Sequence, residues 1–389
     1  MNDYKLWRLL YQFLPEKFCQ TLFTIITLVQ LYLLGARYVL KEIRRRLSSK
    51  VRKLSEHEPD IPDHLPNKIA IVTGGSRGIG LSVARDLYRR GCTVIVTSSA
   101  ATENERENIA DEVRQYQPLL DRNRPGEILV WPIDLREMSS VFEFVVRFNN
   151  QFDHLDYLIN NAGVMFVQKN YTEDGFEHHY QINYLSHVLL TWLLMPALNR
   201  RSSTDPPARV VNVSSSTHYP RNLFIDDLQS QKTPYSPYHA YAQSKLCQIM
   251  FTYYLSDWLK QSGDFPNILV NSLHPGVAMT GLYQNVWWVK LFPQLAEFLF
   301  RSADEGAETV IYVALSTEIE SSGYYYEDCA RLKSSRFSLN KKIQSKLGDL
   351  TRKQLSRFVD LFNEKYPQYS VPRICKSESI LEHSERSKQ

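Results

Sequence analysis

Lys68-Ile69-Ala70-Ile71-Val72-Thr73-Gly74-Gly75-Ser76-Arg77-Gly78-Ile79-Gly80 decides the fold. Ile69 to Val72 is a continuous apolar run, as expected of a central strand covered on both faces. Thr73 to Gly80 breaks the run with glycines. Leu81 to Arg90 then follows with helical spacing and stops at Gly91. A glycine-rich turn between strand and helix offers bare N–H groups and the positive end of a helix dipole to an anion. A dinucleotide pyrophosphate fits that description. Alone the turn is a weak signal, because Gly74, Gly78 and Gly80 do not keep G-x-G-x-x-G spacing, and a tight turn without ligand is the rival reading.

The chain beyond the turn alternates between strand and helix patterns. Candidate strands are Ile69–Thr73, Thr93–Thr97, Ile128–Ile133, Tyr157–Asn160, Arg209–Val213, Ile268–Leu273 and Gly323–Tyr326. Helical patterns separate most of them, notably Leu81–Arg90, Val141–Asn149, Phe176–Leu198 and His239–Gln261. This predicts the α/β class: a Rossmann-type, doubly wound parallel sheet of about seven strands with helices on both faces. Ligands of such sheets sit at the carboxyl ends of the strands.

Three further stretches follow the glycine turn in order: Asn160-Asn161-Ala162-Gly163, then Ser214-Ser215, then Tyr241-Ala242-Gln243-Ser244-Lys245. Together they resemble the short-chain dehydrogenase/reductase family over residues 66–335. The spacing of Tyr241 and Lys245 puts both on one helical face. A nearby ammonium favours a phenolate and is expected to lower the Tyr241 hydroxyl's pKa, making it a general acid or base toward a carbonyl or alcohol. A tyrosine four residues before a lysine is commonplace in a chain with 23 tyrosines. Here the other motifs give the pair its weight.

The resemblance implies roles residue by residue. Asn183, Ser215, Tyr241 and Lys245 are the implied catalytic set, with Ser214 and Ser216 as neighbours that blur the serine assignment. Asn183 is implied to hold a water in a proton relay. Gly74, Ser76, Arg77, Gly78, Ile79 and Gly80 are implied cofactor contacts, as are Ser98, Asp134, Asn161, Ala162 and Gly163. Tyr241 and Lys245 join them, and so do Pro275, Gly276 and Thr280 over the nicotinamide. His274, just before Pro275, reads as a packed loop residue. The second strand ends Thr97-Ser98-Ser99-Ala100, with no acid before Glu103 to bond a ribose hydroxyl. With Arg77 in the turn, this favours NADP(H) and leaves use of NAD(H) open.

Composition limits the alternatives. The five cysteines are scattered, with no C-x-x-C pair, which argues against a metal site and a disulfide framework. The net charge of +4 is local. Arg37, Lys41, Arg44, Arg45, Arg46, Lys50, Arg52 and Lys53 stand against Glu42 alone, so the rest is net acidic and offers no nucleic-acid surface. Asn170-Tyr171-Thr172 and Asn212-Val213-Ser214 match the glycosylation pattern, the second on an expected buried strand.

Phe18 to Ala36 carries no charge, near the length a helix needs to cross a bilayer. A transmembrane anchor is the expectation. A surface-lying helix is one rival. A cleaved signal peptide is another, with no small-x-small site to support it. The basic cluster behind the apolar run points to a single-pass protein whose catalytic domain faces the cytosol. Residues 1–53 then form the anchor and its basic flank, 54–66 a linker and 67–335 the catalytic domain. A helical extension fills 336–369, and 370–389 form a disordered tail.

Leu282 to Phe300 is the substrate clue: Val286, Trp287, Trp288, Leu291, Phe292, Leu295 and Phe298 make an apolar lid where the family places its substrate cover. Thr217-His218-Tyr219, Asp227-Leu228-Gln229-Ser230, Tyr235-Ser236-Pro237 and Asp304-Glu305-Gly306-Ala307 resemble the family's branch acting on polyprenols, and its membrane retinol dehydrogenases less. The resemblance implies an oxidoreductase for a hydrophobic alcohol and its aldehyde, a polyprenol or dolichol type, at the endoplasmic reticulum or a lipid droplet. Retinoids and steroids are the rival substrates. A membrane-tethered scaffold without catalysis is the rival of another class, and a homo-oligomer stays open.

Overall fold

The computed structural model describes residues 3–49, 60–99, 102–115, 126–199, 206–220, 223–369 and 371. Its strands are β1 (Ile69–Val72), β2 (Thr93–Ser98), β3 (Glu127–Pro132), β4 (Tyr157–Asn160), β5 (Ala208–Val213), β6 (Ile268–His274), β7 (Tyr325–Glu327) and β8 (Ala330–Leu332). They form one sheet in the order β3-β2-β1-β4-β5-β6-β7-β8, parallel except for β8. The chain thus winds outward from β1 in one direction, then returns and winds outward in the other from β4. The crevice between β1 and β4 lies at this reversal.

The β1 run IAIV explains its position. Successive side chains on a strand point to opposite faces. Ile69 and Ile71 enter one apolar core, while Ala70 and Val72 enter the other. The helices are α1 (Asp3–Phe13), α2 (Glu16–Ser49), α3 (Gly78–Arg89), α4 (Glu103–Arg114), α5 (Met138–Gln151), α6 (His178–Tyr180), α7 (Ser186–Asn199), α8 (Pro237–Ser262), α9 (Trp287–Leu291), α10 (Pro293–Leu299), α11 (Ala303–Leu315) and α12 (Lys341–Lys365). α3 and α11 help cover one face, with Leu87, Val310 and Val313 in its core. α5, α7 and α8 cover the other, with Phe148, Leu193 and Met250.

Four features differ from the sequence expectation. Phe176–Leu198 is not one regular helix. A π turn, Gln181–Leu185, separates α6 from α7 and carries Asn183. An eighth strand pairs antiparallel with β7 through Asp328 and Cys329, both at positive φ, a conformation that the absence of glycine there concealed. The C-terminal extension is a single helix, α12, docked over α5, α7 and α8 with Leu347, Leu355 and Phe362 buried. Asn212 is buried within β5, so its glycosylation pattern marks no surface site.

The fourth difference is α2. Glu16–Arg44 is the one stretch among the described residues long and apolar enough to cross a membrane. Yet α2 also packs on the domain. Phe23 sits among Trp7, Phe224 and His239, and the Gln20 amide donates to the Tyr235 carbonyl (2.8 Å). At its other end Tyr38 donates to Glu327 (2.8 Å). The outer side presents Phe18, Ile25, Val29 and Leu33 to the surroundings. Residues 50–59, most of the expected linker, and Ser370 with residues 372–389, the expected tail, lie outside the described residues.

The α12 docking makes a stability prediction. A Cβ on Gly348 would sit 2.5 Å from the Tyr254 ring. Gly348→Ala should therefore destabilise the fold by about 1–3 kcal/mol through overpacking, although alanine is the better helix former. Equilibrium denaturation measures this, and an unchanged or raised midpoint would show that α12 does not pack at this distance.

Candidate active site

The glycine turn builds a cradle at the carboxyl end of β1. Gly74 (φ +61°) and Gly78 (φ +56°) occupy the left-handed region, which side chains resist. At Gly80 a Cβ would fall 2.3 Å from the Gly74 carbonyl oxygen and 2.5 Å from the Asn161 amide. Only glycine lets α3 start so close to the turn. The crevice above holds a cavity of about 550 Å³. Gly74, Ser76, Arg77, Gly78, Ile79 and Gly80 line it from the turn. Ser98, Asp134, Asn161, Ala162, Gly163 and Thr280 line it from the later strands and loop. These fit a dinucleotide: a helix N-terminus for the pyrophosphate, no acid at the end of β2, and the exposed Arg77 on the turn.

Two expected contacts lie elsewhere. Pro275 and Gly276 are absent from this cavity's lining. Gly276 (φ +85°) instead passes beneath Arg301, whose Cδ would meet a Cβ at 2.7 Å. Arg136, which the sequence reading missed, does line the cavity and pairs with Asp134 (2.6 Å). This contact holds the Asp134 carboxyl below the usual carboxylate range. Its position two residues after Asp134 was the available signal.

The four residues of the implied catalytic set converge from three elements. Ser215 follows β5, Tyr241 and Lys245 lie one turn apart on α8, and Asn183 comes from the π turn. All are buried. The Ser215 hydroxyl bonds toward Tyr241, opposing the rise in that tyrosine's pKa. Ser214, by contrast, donates to the Lys245 carbonyl (2.7 Å) and fixes α8 against β5. The serine ambiguity is resolved by these partners.

The electrostatics correct one expectation. Burial pushes the Tyr241 hydroxyl up to about 12, instead of the Lys245 ammonium drawing it down. Lys245 Nζ lies 6.0 Å from the Tyr241 ring centre and donates to the Val213 carbonyl (2.9 Å) and to Gln248 (3.0 Å). Desolvation of the phenolate therefore outweighs the distant charge. The same burial pushes Lys245 down to about 7.

Asn183 has a different task from the expected water holder. Its side chain accepts from the Val164 N–H (2.8 Å) and donates to the Val164 carbonyl (3.0 Å) and to Ser244 (2.9 Å). It clamps the strand segment after Gly163 onto α8. Its own carbonyl accepts from His187 Nδ1 (3.2 Å), which leaves His187 Nε2 to accept from the Thr73 hydroxyl (2.9 Å). Burial lowers His187 to about 3, so the ring is neutral and keeps this tautomer. The glycine turn and the Asn183 turn are thus joined through one buried ring. His187 was legible only as a residue four after Asn183.

Beside Tyr241, Phe166 stands at φ +56°, an uncommon conformation for an aromatic residue. It packs on Tyr238 (4.6 Å between ring centres) and Tyr241 (5.4 Å). His179 lies 6.3 Å from the Tyr241 ring, with its Nδ1 against Glu177 (2.7 Å) and its Nε2 accepting from the Val167 N–H (3.3 Å). These aromatics wall the approach to Tyr241. The lid closes over the crevice from the other side. Val289, Ala296 and Phe300 form its inner core, while Leu291, Phe292, Leu295 and Phe298 face outward. The side chains of Trp287 and Trp288 lie outside the described ones.

Comparison with known proteins agrees with this geometry. The short chain dehydrogenase family profile matches residues 68–288. Human polyprenol dehydrogenase is 39% identical over 82% of this chain and 92% of its own length. Mouse retinol dehydrogenase 12 is 35% identical over 74% of this chain and 86% of its own. Among solved structures, an uncharacterised Mycobacterium paratuberculosis protein superposes with a TM-score of 0.58 at 29% identity, covering 77% of this chain and 98% of that one. A matched profile over more than half the chain and relatives at this identity establish that the chain belongs to the short-chain dehydrogenase family.

Proposed function

We propose that this chain is an NADP(H)-dependent oxidoreductase that interconverts a long-chain polyisoprenoid alcohol and its aldehyde at a membrane surface. The observation that carries the reading is the convergence of Ser215, Tyr241 and Lys245 beside a glycine-lined dinucleotide cradle. The substrate class is supported by the 39% identity to a polyprenol dehydrogenase and by the outward apolar side chains of the lid. α1 and α2 present further apolar side chains, among them Leu9, Phe13, Ile25 and Leu33. Together these surfaces suit attachment to the endoplasmic reticulum with the catalytic domain on the cytosolic side.

The cofactor, when bound, supplies or takes the hydride at nicotinamide C4. The chain's own residues manage the proton. With its pKa near 12, Tyr241 keeps its proton at neutral pH and can give it to a carbonyl oxygen as the alcohol forms. Ser215 bonds the same oxygen and holds it at the tyrosine. Lys245, protonated below about 7, places a positive charge behind Tyr241 as the phenolate develops. Arg77 meets the 2′-phosphate. Thr280 and the segment from Asn161 to Gly163 hold the nicotinamide half.

Three outcomes test the reading. Tyr241→Phe should lower kcat for aldehyde reduction by at least about a hundredfold, the scale of one acid–base group, while leaving the Kd for NADPH within about twofold. Turnover near the parental rate would remove Tyr241 from the chemistry. Reductive kcat/KM should hold below pH 7 and fall as pH rises through about 7, where Lys245 loses its proton. Lys245→Arg, always charged, should move that descending limb upward, and an unmoved limb assigns it to another group. Arg77→Glu should shift preference toward NADH, by charge repulsion at the 2′-phosphate. A screen of polyprenals, retinal and steroids with NADPH decides the substrate class, and a preference for retinal would replace the polyisoprenoid reading.

A further inference from the structure

The lid has a closed base. Arg301 N–H donates to the Val277 carbonyl (2.8 Å), and Met279 N–H donates to the Arg301 carbonyl (2.8 Å), a parallel bridge between residues 278 and 301. Everything between them, including Thr280, Tyr283, α9 and α10, hangs from that bridge. The Arg301 side chain is buried, lies over Gly276 and makes two ion pairs. One is with Asp328 (2.7 Å), a residue at positive φ in the β7–β8 turn. The other is with Glu42 of α2 (2.9 Å), itself only 6% exposed. Lys41, next along α2, also pairs with Asp328 (2.6 Å).

The next links lead to the cradle. Ala278 abuts α11, since a Cβ on Gly306 would lie 3.0 Å from both Ala278 and Ile79. Thr280 rests on the glycine turn, 3.2 Å from where a Gly78 Cβ would be. A buried carboxylate on the N-terminal helix is therefore connected, through one guanidinium and two residues of chain, to a wall of the dinucleotide cavity. A helix serving only as a tether has no use for a carboxylate buried in the domain. Such a group is costly to desolvate and is tolerated where its partner is fixed.

We infer that Glu42 is a positioning residue: through Arg301 it sets the lid base and with it Thr280, so α2 is part of the working enzyme and not only its anchor. The inference rests on the reading of Thr280 as a cofactor contact. It predicts that the N-terminal helix affects turnover of substrates that never enter a membrane.

The test uses the full-length protein in detergent with a short, water-soluble aldehyde. Glu42→Ala should raise KM for NADPH by about tenfold, the scale of a lost charge-assisted hydrogen bond. Saturating NADPH should restore most of kcat, a split that general destabilisation would not give. Glu42→Gln keeps an acceptor for Arg301 and should fall between parent and alanine variant. Hydrogen exchange in the glutamine variant should quicken across residues 279–299 and stay unchanged in β1 and β4. If Glu42→Ala does not fold, the glutamine variant decides alone, with an expected rise of about threefold. NADPH KM values within twofold of the parent, or faster exchange confined to α2, would overturn the inference. Thr280→Ala separates the failures. If it raises KM while the Glu42 variants do not, only the link fails, and if none of them does, the Thr280 contact fails too.

Discussion

The structure depends on a clasp between Thr73 and Asn161 at the point where the sheet reverses. The Thr73 hydroxyl accepts from the backbone N–H groups of Asn161 (2.9 Å) and Ala162 (3.0 Å), and the Asn161 amide donates back to the Thr73 carbonyl (2.9 Å). Between parallel strands at a switch point the ladder ends and leaves polar groups without partners. Here they satisfy one another, which matters because an unpaired buried amide costs about 1–3 kcal/mol. The clasp also fixes the gap between the glycine turn and Ala162, where a Gly74 Cβ would come within 3.0 Å. The width of the cofactor crevice thus follows from two side chains that touch no substrate.

A second theme is that burial sets the proton chemistry. Tyr241 and Lys245 are both removed from water, and each is driven toward its neutral form. Neutral tyrosine is the form that gives a proton. The lysine is balanced near neutrality instead of being locked as a cation. The lysine's hydrogen bonds to the Val213 carbonyl and Gln248 hold its position without adding a counter-charge. An acid in contact with it would pin its charge and remove that balance.

The parts legible in the sequence were those written locally. The β1 run, the glycine turn, the strand–helix alternation and the four-residue step from Tyr241 to Lys245 each occupy a few consecutive positions. What escaped depends on residues far apart in the chain or on a local anomaly. Glu42 and Arg301 are separated by most of the catalytic domain, and nothing near either announces the other. The choice between Ser214 and Ser215 needed the partner of each hydroxyl. The tyrosine's pKa needed the actual distance to the ammonium and the depth of burial. The β7–β8 turn uses Asp328 and Cys329 where a hairpin usually signals itself with Asn-Gly or Gly.

The π turn at Gln181–Leu185 has a consequence for how this segment tolerates change. A π turn is an α-helix carrying one residue more than its hydrogen bonds need. Removing one residue there would restore regular helix and rotate everything downstream by about 100° about its axis. His187 would leave Thr73, and Thr191 would leave Asn160, to which it is bonded at 2.9 Å. The constraint on these five positions is therefore on their number as well as their chemistry. Substitutions at an outward position would be absorbed, whereas a single-codon deletion would misalign α7 along its whole length.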